Sequence, residues 1–295
     1  MRLFNDLYTI YGDLLVKKDI EITPGAVRKI RLLGEKHKQV RIPLKNTDIF
    51  TDFVNIFKDS RYRTMLAPPV SKKEICAIAA NLKIENDLVF EMARMKKNLP
   101  YTYNHVLRVA AFTIKLSITY HPKEYDKEII AHCGFTHDIG KTRIPTEILN
   151  KKERLTALER AIIETHPTIG YLLLNYYLKR DRVECSLASL EHHERPDGSG
   201  YPNGIKRLRK YARLISAVDV MDALLTKRPY RKKPFSLRAT LDYLVKEAQE
   251  GRFNMGIVLS LISYARKSKP SLSDIKISKT RRERLPDEIV YEKYK

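Results

Sequence analysis

The sequence is poor in cysteine and lacks any long apolar run. Its 295 residues include three cysteines, Cys76, Cys133 and Cys185, which are far apart and odd in number. This pattern excludes a disulfide framework and is typical of reduced, buried thiols. No apolar segment is long enough to span a bilayer, and charges interrupt the N-terminal residues too early for a secretory signal. These absences predict a soluble, cytoplasmic protein with no membrane span.

Acidic residues are scarce relative to basic ones. The chain has 56 lysines and arginines against 35 aspartates and glutamates, so its formal net charge is +21. This excess favours anionic partners such as nucleotides, nucleic acid or acidic lipid, although a generally lysine-rich composition explains it equally well. Two basic clusters stand out, KRLRKYAR at 206–213 and KRPYRKK at 227–233. No nucleic-acid recognition motif accompanies them, so we expect no nucleic-acid partner.

The periodicity divides the chain into regions. Residues 1–66 combine alternating stretches, DIEI (19–22) and QVRIPL (39–44), with amphipathic helical stretches, which predicts a small mixed α/β domain. We expect this domain to regulate the protein or to form a homodimer. A double proline at 68–69 marks the boundary, and the helical period then dominates residues 71–270, which predicts a mainly α protein. Residues 271–295 are a basic tail, and Thr23, Thr156 and Ser236 are predicted helix N-caps.

Histidines and aspartates lie in or at the ends of the apolar helices of the second region. The set comprises His105, His137, Asp138, His166, His192, His193 and Asp219. Each residue alone is most simply a hydrogen-bonded core residue, but a buried carboxylate needs a partner. Together, imidazoles and carboxylates without cysteine suit iron, manganese, nickel or zinc. Seven ligands are too many for one ion with an open position and fit two ions bridged by a carboxylate.

Four sequence blocks carry a family resemblance. They are HDIGK (137–141), THPTIG (165–170), HHERPDGSGYP (192–202) and AVDVMDALLTKRPY (217–230). In this order and spacing they resemble the HD-GYP family of the HD phosphohydrolase superfamily, over about residues 95–265. The resemblance implies an all-helical HD-type domain, a bi- or trinuclear metal centre and hydrolysis of the bacterial messenger cyclic di-GMP to linear pGpG, GMP or both.

The resemblance also assigns the metal ligands. The ligands of one ion are His105, His137, Asp138 and Asp219; those of the second are His166, His192 and His193, with Asp138 bridging both. Tyr101 stands where some family members have a glutamate that binds a third ion. We therefore expect two divalent ions, first iron or manganese, with nickel or zinc as further candidates.

The remaining matches concern the substrate. Lys141 matches a lysine near the scissile phosphate, and Arg228 and Arg231 match basic positions that hold substrate phosphates, the second of which is usually lysine in the family. The expected reaction is attack on phosphorus by a hydroxide that bridges the metals, with Asp138 and Lys141 as catalytic residues. Lys141 would stabilise the transition state or protonate the leaving 3′-oxygen.

The loop that ends in Gly200, Tyr201 and Pro202 is expected to form a rigid wall of the site. By family analogy it is also a docking surface for a partner such as a diguanylate cyclase. Two other functions stay open. One is an HD-type hydrolase for another nucleotide, and the other is a module that binds a cyclic dinucleotide or a partner protein without turnover.

Overall fold

The computed structural model describes residues 2–37, 40–67, 72–120, 122–178, 182–227 and 233–277. These residues are mainly helical, which confirms the predicted fold class. The strands are β1 (Leu7–Tyr8), β2 (Leu14–Val16), β3 (Arg41–Pro43) and β4 (Lys83–Glu85). They form two separate antiparallel pairs, β1 with β2 and β3 with β4.

The helices make up most of the described chain. The first are α1 (Pro24–Lys36), α2 (Asp48–Asn55), α3 (Arg63–Leu66), α4 (Lys72–Asn81) and α5 (Asn86–Asn98). The others are α6 (Pro100–Thr119), α7 (Lys127–Thr136), α8 (Thr146–Leu149), α9 (Ala157–Ile163), α10 (His166–Tyr177), α11 (Val183–Glu191), α12 (Lys210–Leu225), α13 (Leu237–Gln249) and α14 (Met255–Ala265). A 3-10 segment at Ile139–Arg143 follows α7. None of the helices in the described ranges has the length and hydropathy needed to cross a membrane.

The predicted N-caps are confirmed. The Thr23 and Ser236 side chains each accept a hydrogen bond from the backbone N–H three residues later, at the starts of α1 and α13. Thr156 forms a reciprocal capping box with Glu159 at the start of α9. Each cap satisfies a backbone N–H that has no partner within its own helix.

The two predicted strands in the N-terminal region have different outcomes. The stretch 39–44 contains β3, as predicted. The strand prediction for 19–22 is wrong, because Asp19 has a φ of 61°, in the left-handed region that interrupts an extended chain. The Asp19 N–H instead donates to the Leu3 carbonyl at 2.9 Å, and the partner strand of β1 lies earlier, at β2.

The N-terminal region shares a hydrophobic core with the helical region. Buried apolar side chains from Leu3 to Tyr264 belong to one cluster. Helix α1 lies so close to α10 that a Cβ on Gly34 would be 2.0 Å from the Tyr176 carbonyl oxygen. The double proline lies outside the described residues. A domain boundary there, and a regulatory or dimerising role for residues 1–66, stay predictions.

Helix α6 is the central helix, and most of its residues are buried. Helix α7 packs closely on it because Gly134 has no side chain. A Cβ at Gly134 would be 2.7 Å from the Ala110 Cα of α6. This close packing brings His137, directly after α7, beside His105 of α6, with ring centroids 5.5 Å apart.

Candidate metal centre

Three histidines share one local arrangement at helix ends. In each, the ring Nδ1 lies close to the carbonyl oxygen of the residue three positions earlier. The distance is 2.9 Å from His137 to Gly134, 2.7 Å from His166 to Ile163 and 2.7 Å from His192 to Ser189. Each carbonyl lies three residues earlier, near the end of a helix where carbonyls lack helical partners. A carbonyl can only accept, so each Nδ1 carries the proton. The Nε2 atom of each ring is therefore a free electron-pair donor, the form in which histidine binds a metal.

These Nε2 atoms converge on Asp138. Its Oδ1 lies 3.3 Å from His166 Nε2 and 3.6 Å from His192 Nε2. Its Oδ2 lies 3.7 Å from His137 Nε2 and 3.8 Å from His105 Nε2. The carboxylate thus faces one histidine pair with each oxygen, which is the arrangement that a bridging ligand requires.

The predicted ligand atoms form two compact groups that share Asp138. One group comprises Asp138, His166, His192 and His193; the other comprises His105, His137 and Asp138. Within each group the ligand atoms lie within 4.8 Å of one another. Asp219 adjoins both groups, with Oδ1 2.9 Å from His105 Nε2 and Oδ2 3.9 Å from His193 Nδ1. The structure therefore brings all seven predicted ligands together.

Two observations fit divalent cations at this place. The buried atoms His137 Nε2 and Asp138 Oδ1 have no hydrogen-bond partner among the described residues. The His166 and His192 Nε2 atoms lie 3.4 Å apart, although both are electron-pair donors. Buried polar atoms without partners are costly, and a cation bound between them would remove that cost.

The electrostatics favour the ligand forms of His137, His166 and Asp138. The pKa of His105 is raised instead, because Asp219 and Asp222 outweigh the lowering effect of burial. Burial lowers the pKa of His137 to about 3 and that of His166 to about 4, so both rings are neutral at neutral pH. Burial alone would raise the pKa of Asp138, but the Lys141 ammonium beside it holds that pKa well below its usual value. Neutral imidazoles around an ionised carboxylate are the forms that bind metal without first losing a proton.

An outer support for His105 was not predicted from the sequence. Asp222 Oδ2 lies 2.7 Å from His105 Nδ1, and Arg108 binds the same carboxylate through Nε at 2.7 Å and Nη2 at 3.0 Å. The signal was present, because Asp222 follows Asp219 by three residues and Arg108 follows His105 by three. That spacing places each pair on one helix face.

A cleft leads to the candidate metal centre. Lys141 lines it, with Nζ 2.6 Å from Asp138 Oδ2, and His193 and Asp219 also border it. Further basic side chains along the cleft are Arg160, Arg195 and Arg252. The predicted substrate-binding residues Arg228 and Arg231 lie outside the described residues, so their role stays a prediction.

The loop after the histidine pair folds back on the centre. The buried Glu194 carboxylate accepts hydrogen bonds from the Asn203 N–H at 2.6 Å and the Ile205 N–H at 3.1 Å. The Tyr201 ring stacks on His193, with centroids 4.7 Å apart and planes 19° apart. The Tyr201–Pro202 bond is cis, and a Cβ on Gly200 would be 2.3 Å from the Arg195 nitrogen. Of the three predicted loop residues, Gly200 and Tyr201 line the cleft, and Tyr201 contacts His193. The role of the loop as a rigid wall stays a prediction.

Two glycines let the ligand-bearing segments touch. A Cβ on Gly140 would be 2.0 Å from the His166 carbonyl oxygen, and one on Gly170 would be 2.3 Å from Ser189 Oγ. Ser189 Oγ in turn donates to the His137 carbonyl at 2.7 Å. These contacts clamp together the segments that carry the ligands, which gives a physical reason for glycine in the HDIGK and THPTIG blocks.

We expect the substitution Gly140→Ala to lower the free energy of unfolding by about 3 kcal/mol, the upper end for overpacking, because the clash is with backbone. It should also weaken metal binding, since the His166 segment must move. The matched control is Gly25→Ala in α1, where the added Cβ would lie 3.7 Å from Thr23 Oγ1, an ordinary contact. Denaturant titration and metal content measure both effects. Equal stability and equal metal content in the two variants would contradict the clamp.

Comparisons with known proteins find a family match and several curated relatives. A family model described as an HD domain matches residues 87–257. The chain is 40% identical over 151 residues to the cyclic di-GMP phosphodiesterase response regulator RpfG of Xanthomonas campestris pv. campestris, covering 50% of this chain and 38% of that protein.

Two further relatives have similar coverage. Cyclic di-GMP phosphodiesterase PA4108 of Pseudomonas aeruginosa is 30% identical over 188 residues, which cover 61% of this chain and 44% of the relative. The 3′3′-cGAMP-specific phosphodiesterase 2 of Vibrio cholerae is 33% identical over 194 residues, which cover 61% of this chain and 37% of the relative. The chain therefore spans less than half the length of each of these curated relatives.

Proposed function

Because the chain belongs to the HD domain family, we propose that it is a metal-dependent phosphodiesterase that hydrolyses cyclic di-GMP to pGpG, GMP or both. The observation that carries the proposal is Asp138, whose two oxygens face two groups of histidines while Lys141 contacts it from the cleft. The relatives named as cyclic di-GMP phosphodiesterases support the choice of substrate.

Two divalent ions, iron or manganese first and nickel or zinc as further candidates, would be held at this centre. The first would be bound by His105, His137, Asp138 and Asp219, and the second by His166, His192, His193 and the shared Asp138. Bound ions supply a water of lowered pKa and offset negative charge on a phosphodiester.

The chain's own residues would prepare the substrate. Lys141 Nζ, 2.6 Å from Asp138 Oδ2, is near enough to the centre to contact a phosphate there and to donate a proton to a leaving 3′-oxygen. The cleft arginines would attract a dianionic dinucleotide and hold the phosphate that is not cleaved. Tyr201, stacked on His193, would exclude water from one side of the site.

A second candidate substrate is 3′3′-cGAMP, because one relative of comparable identity is named for it. The two dinucleotides share both phosphodiester bonds and differ in one base, so the metal centre alone does not discriminate between them. Discrimination would fall to residues further along the cleft, where Tyr243 and Glu247 lie.

The test is an anaerobic preparation of the full chain, reloaded with Fe²⁺ or Mn²⁺ and assayed for ions per chain and for hydrolysis of both dinucleotides. The control is the His137→Ala/Asp138→Ala variant. We expect about two ions per chain and turnover of cyclic di-GMP in the wild type alone. Turnover in the variant would refute the metal centre. Two ions with tight cyclic di-GMP binding but without hydrolysis would indicate a binding module instead.

A further inference from the structure

Tyr62 lies outside the region that matches the HD domain and is connected to the candidate metal centre by hydrogen bonds. It lies in the N-terminal region, whereas the family match begins at residue 87. The side chain is fully buried, and its hydroxyl donates to Asp222 Oδ1 at 2.5 Å. Asp222 is the carboxylate that contacts His105 Nδ1 at 2.7 Å. A continuous chain of hydrogen bonds therefore runs from the N-terminal region to a predicted metal ligand.

The Asp222 carboxylate has a partner on every side. Oδ1 accepts from Tyr62 and from Arg108 Nε, and Oδ2 contacts His105 Nδ1, Arg108 Nη2 and, at 3.4 Å, Thr226 Oγ1. A carboxylate held in this way cannot rotate without breaking several charge-assisted bonds. Its position then fixes which nitrogen of His105 carries the proton and which one faces Asp138 and Asp219.

The Tyr62 ring is itself fixed in place. Phe112 of α6 packs against it, with centroids 5.4 Å apart and planes 61° apart, and the Arg108 guanidinium lies 5.9 Å from its centroid. The neighbouring Arg61 donates through Nη1 to the Leu225 carbonyl at 3.4 Å, at the last residue of α12. The N-terminal region thus holds the end of the helix that carries both Asp219 and Asp222.

We propose that Tyr62 is a positioning residue of the metal centre, which acts through Asp222 to aim the His105 Nε2 atom at the ion. The proposal rests on the proposed function only insofar as His105 is a metal ligand. It gives residues 1–66 a direct role at the site, because the outer support of His105 is completed by a side chain that the HD domain match does not include. Removing the hydroxyl alone should loosen one ion and leave the other in place.

The experiment is a Mn²⁺ titration of the full chain, with free Mn²⁺ measured by electron paramagnetic resonance. The variants are Tyr62→Phe, Asp222→Asn, the double variant, and Tyr264→Phe as control. Tyr264 is also fully buried, but its hydroxyl donates to the Lys115 carbonyl at 3.0 Å, ten residues along α6 from His105. Both Phe substitutions keep the ring and remove one buried hydroxyl, so they match in the structural damage that they cause.

Asp222 contacts His105 directly, so we expect Asp222→Asn to lower the affinity for one Mn²⁺ ion by about 10- to 100-fold. Tyr62→Phe should lower the affinity for the same ion by about 3- to 10-fold. The double variant should bind as Asp222→Asn does, because Tyr62 acts through that carboxylate. Tyr264→Phe should bind as the wild type does.

Three results in the variants would overturn the proposal. The first is that Tyr62→Phe binds Mn²⁺ as tightly as Tyr264→Phe does. The second is that Tyr62→Phe weakens the binding of both ions equally. The third is that the losses of affinity caused by Tyr62→Phe and Asp222→Asn multiply in the double variant. The titration uses no nucleotide, so a failure to hydrolyse cyclic di-GMP would refute the proposed substrate and leave this test intact. A wild type that binds no Mn²⁺ would refute His105 as a Mn²⁺ ligand, and the positioning role with it.

Discussion

Replacing Asp138 with asparagine is expected to release both metal ions and to lower the turnover of cyclic di-GMP by at least about 1,000-fold. The loss is large because bound ions supply several kcal/mol of transition-state stabilisation, and about 1.4 kcal/mol corresponds to a factor of ten. Asp138 belongs to both ligand groups, so one substitution removes a charged ligand from each. Asparagine keeps the shape of the side chain and removes the negative charge that balances the cations. Metal analysis and a hydrolysis assay measure the outcome.

The matched control for this prediction is Glu85→Gln. Glu85 is another fully buried carboxylate, bound by Arg41 Nε at 2.7 Å and by His132 Nε2 at 3.0 Å, and it belongs to neither ligand group. Glu85→Gln removes a buried charge, as Asp138→Asn does, and should lower the stability of the protein similarly. The Glu85→Gln protein should still hold about two ions per chain. An Asp138→Asn protein that kept both ions, or a Glu85→Gln protein that lost them, would contradict the bridging role of Asp138.

The features that sequence reasoning predicted are those encoded over short distances. A cap such as Thr156 with Glu159 is a hydrogen-bonding relation within four residues, so its pattern is visible in the sequence. The helical period is equally local. The predicted ligands are further apart, but each is a polar group in or at the end of an apolar helix, and the four sequence blocks placed most of them in one family pattern. The structure brings all seven within one centre.

The features that sequence reasoning missed depend mostly on contacts between residues that are far apart in the sequence. Tyr62 and Asp222 are 160 positions apart, and nothing near either residue indicates the hydrogen bond between them. The pairing of β3 with β4 joins residues 41–43 to residues 83–85, across the predicted domain boundary. The wrong strand at 19–22 has a local cause instead, since alternation of apolar and polar residues does not reveal the positive φ of Asp19. Tertiary contacts determine the secondary structure of such segments where local preferences allow more than one conformation.

Replacing Lys141 with methionine is expected to separate catalysis from metal binding. The variant should keep about two ions per chain and lose about 100- to 10,000-fold in kcat, the range for a general acid or base. The reason is geometric, because Lys141 Nζ contacts Asp138 Oδ2 at 2.6 Å and also lines the cleft, where a phosphate would meet it. Methionine has a similar length and no charge. Determining kcat and KM separately shows whether the loss lies in the reaction or in substrate binding.

The control is Lys151→Met, which removes an equivalent ammonium from an ion pair with Glu159 at 2.7 Å; neither residue lines the cleft. It should leave metal content, kcat and KM unchanged. If Lys141→Met instead lost its ions together with its activity, the lysine would be a counter-charge that stabilises Asp138 and not a catalytic group. A purely KM effect would make it a binding residue for the substrate phosphate. The Asp138 and Lys141 variants together thus assign metal retention and proton transfer to different side chains of the HDIGK block.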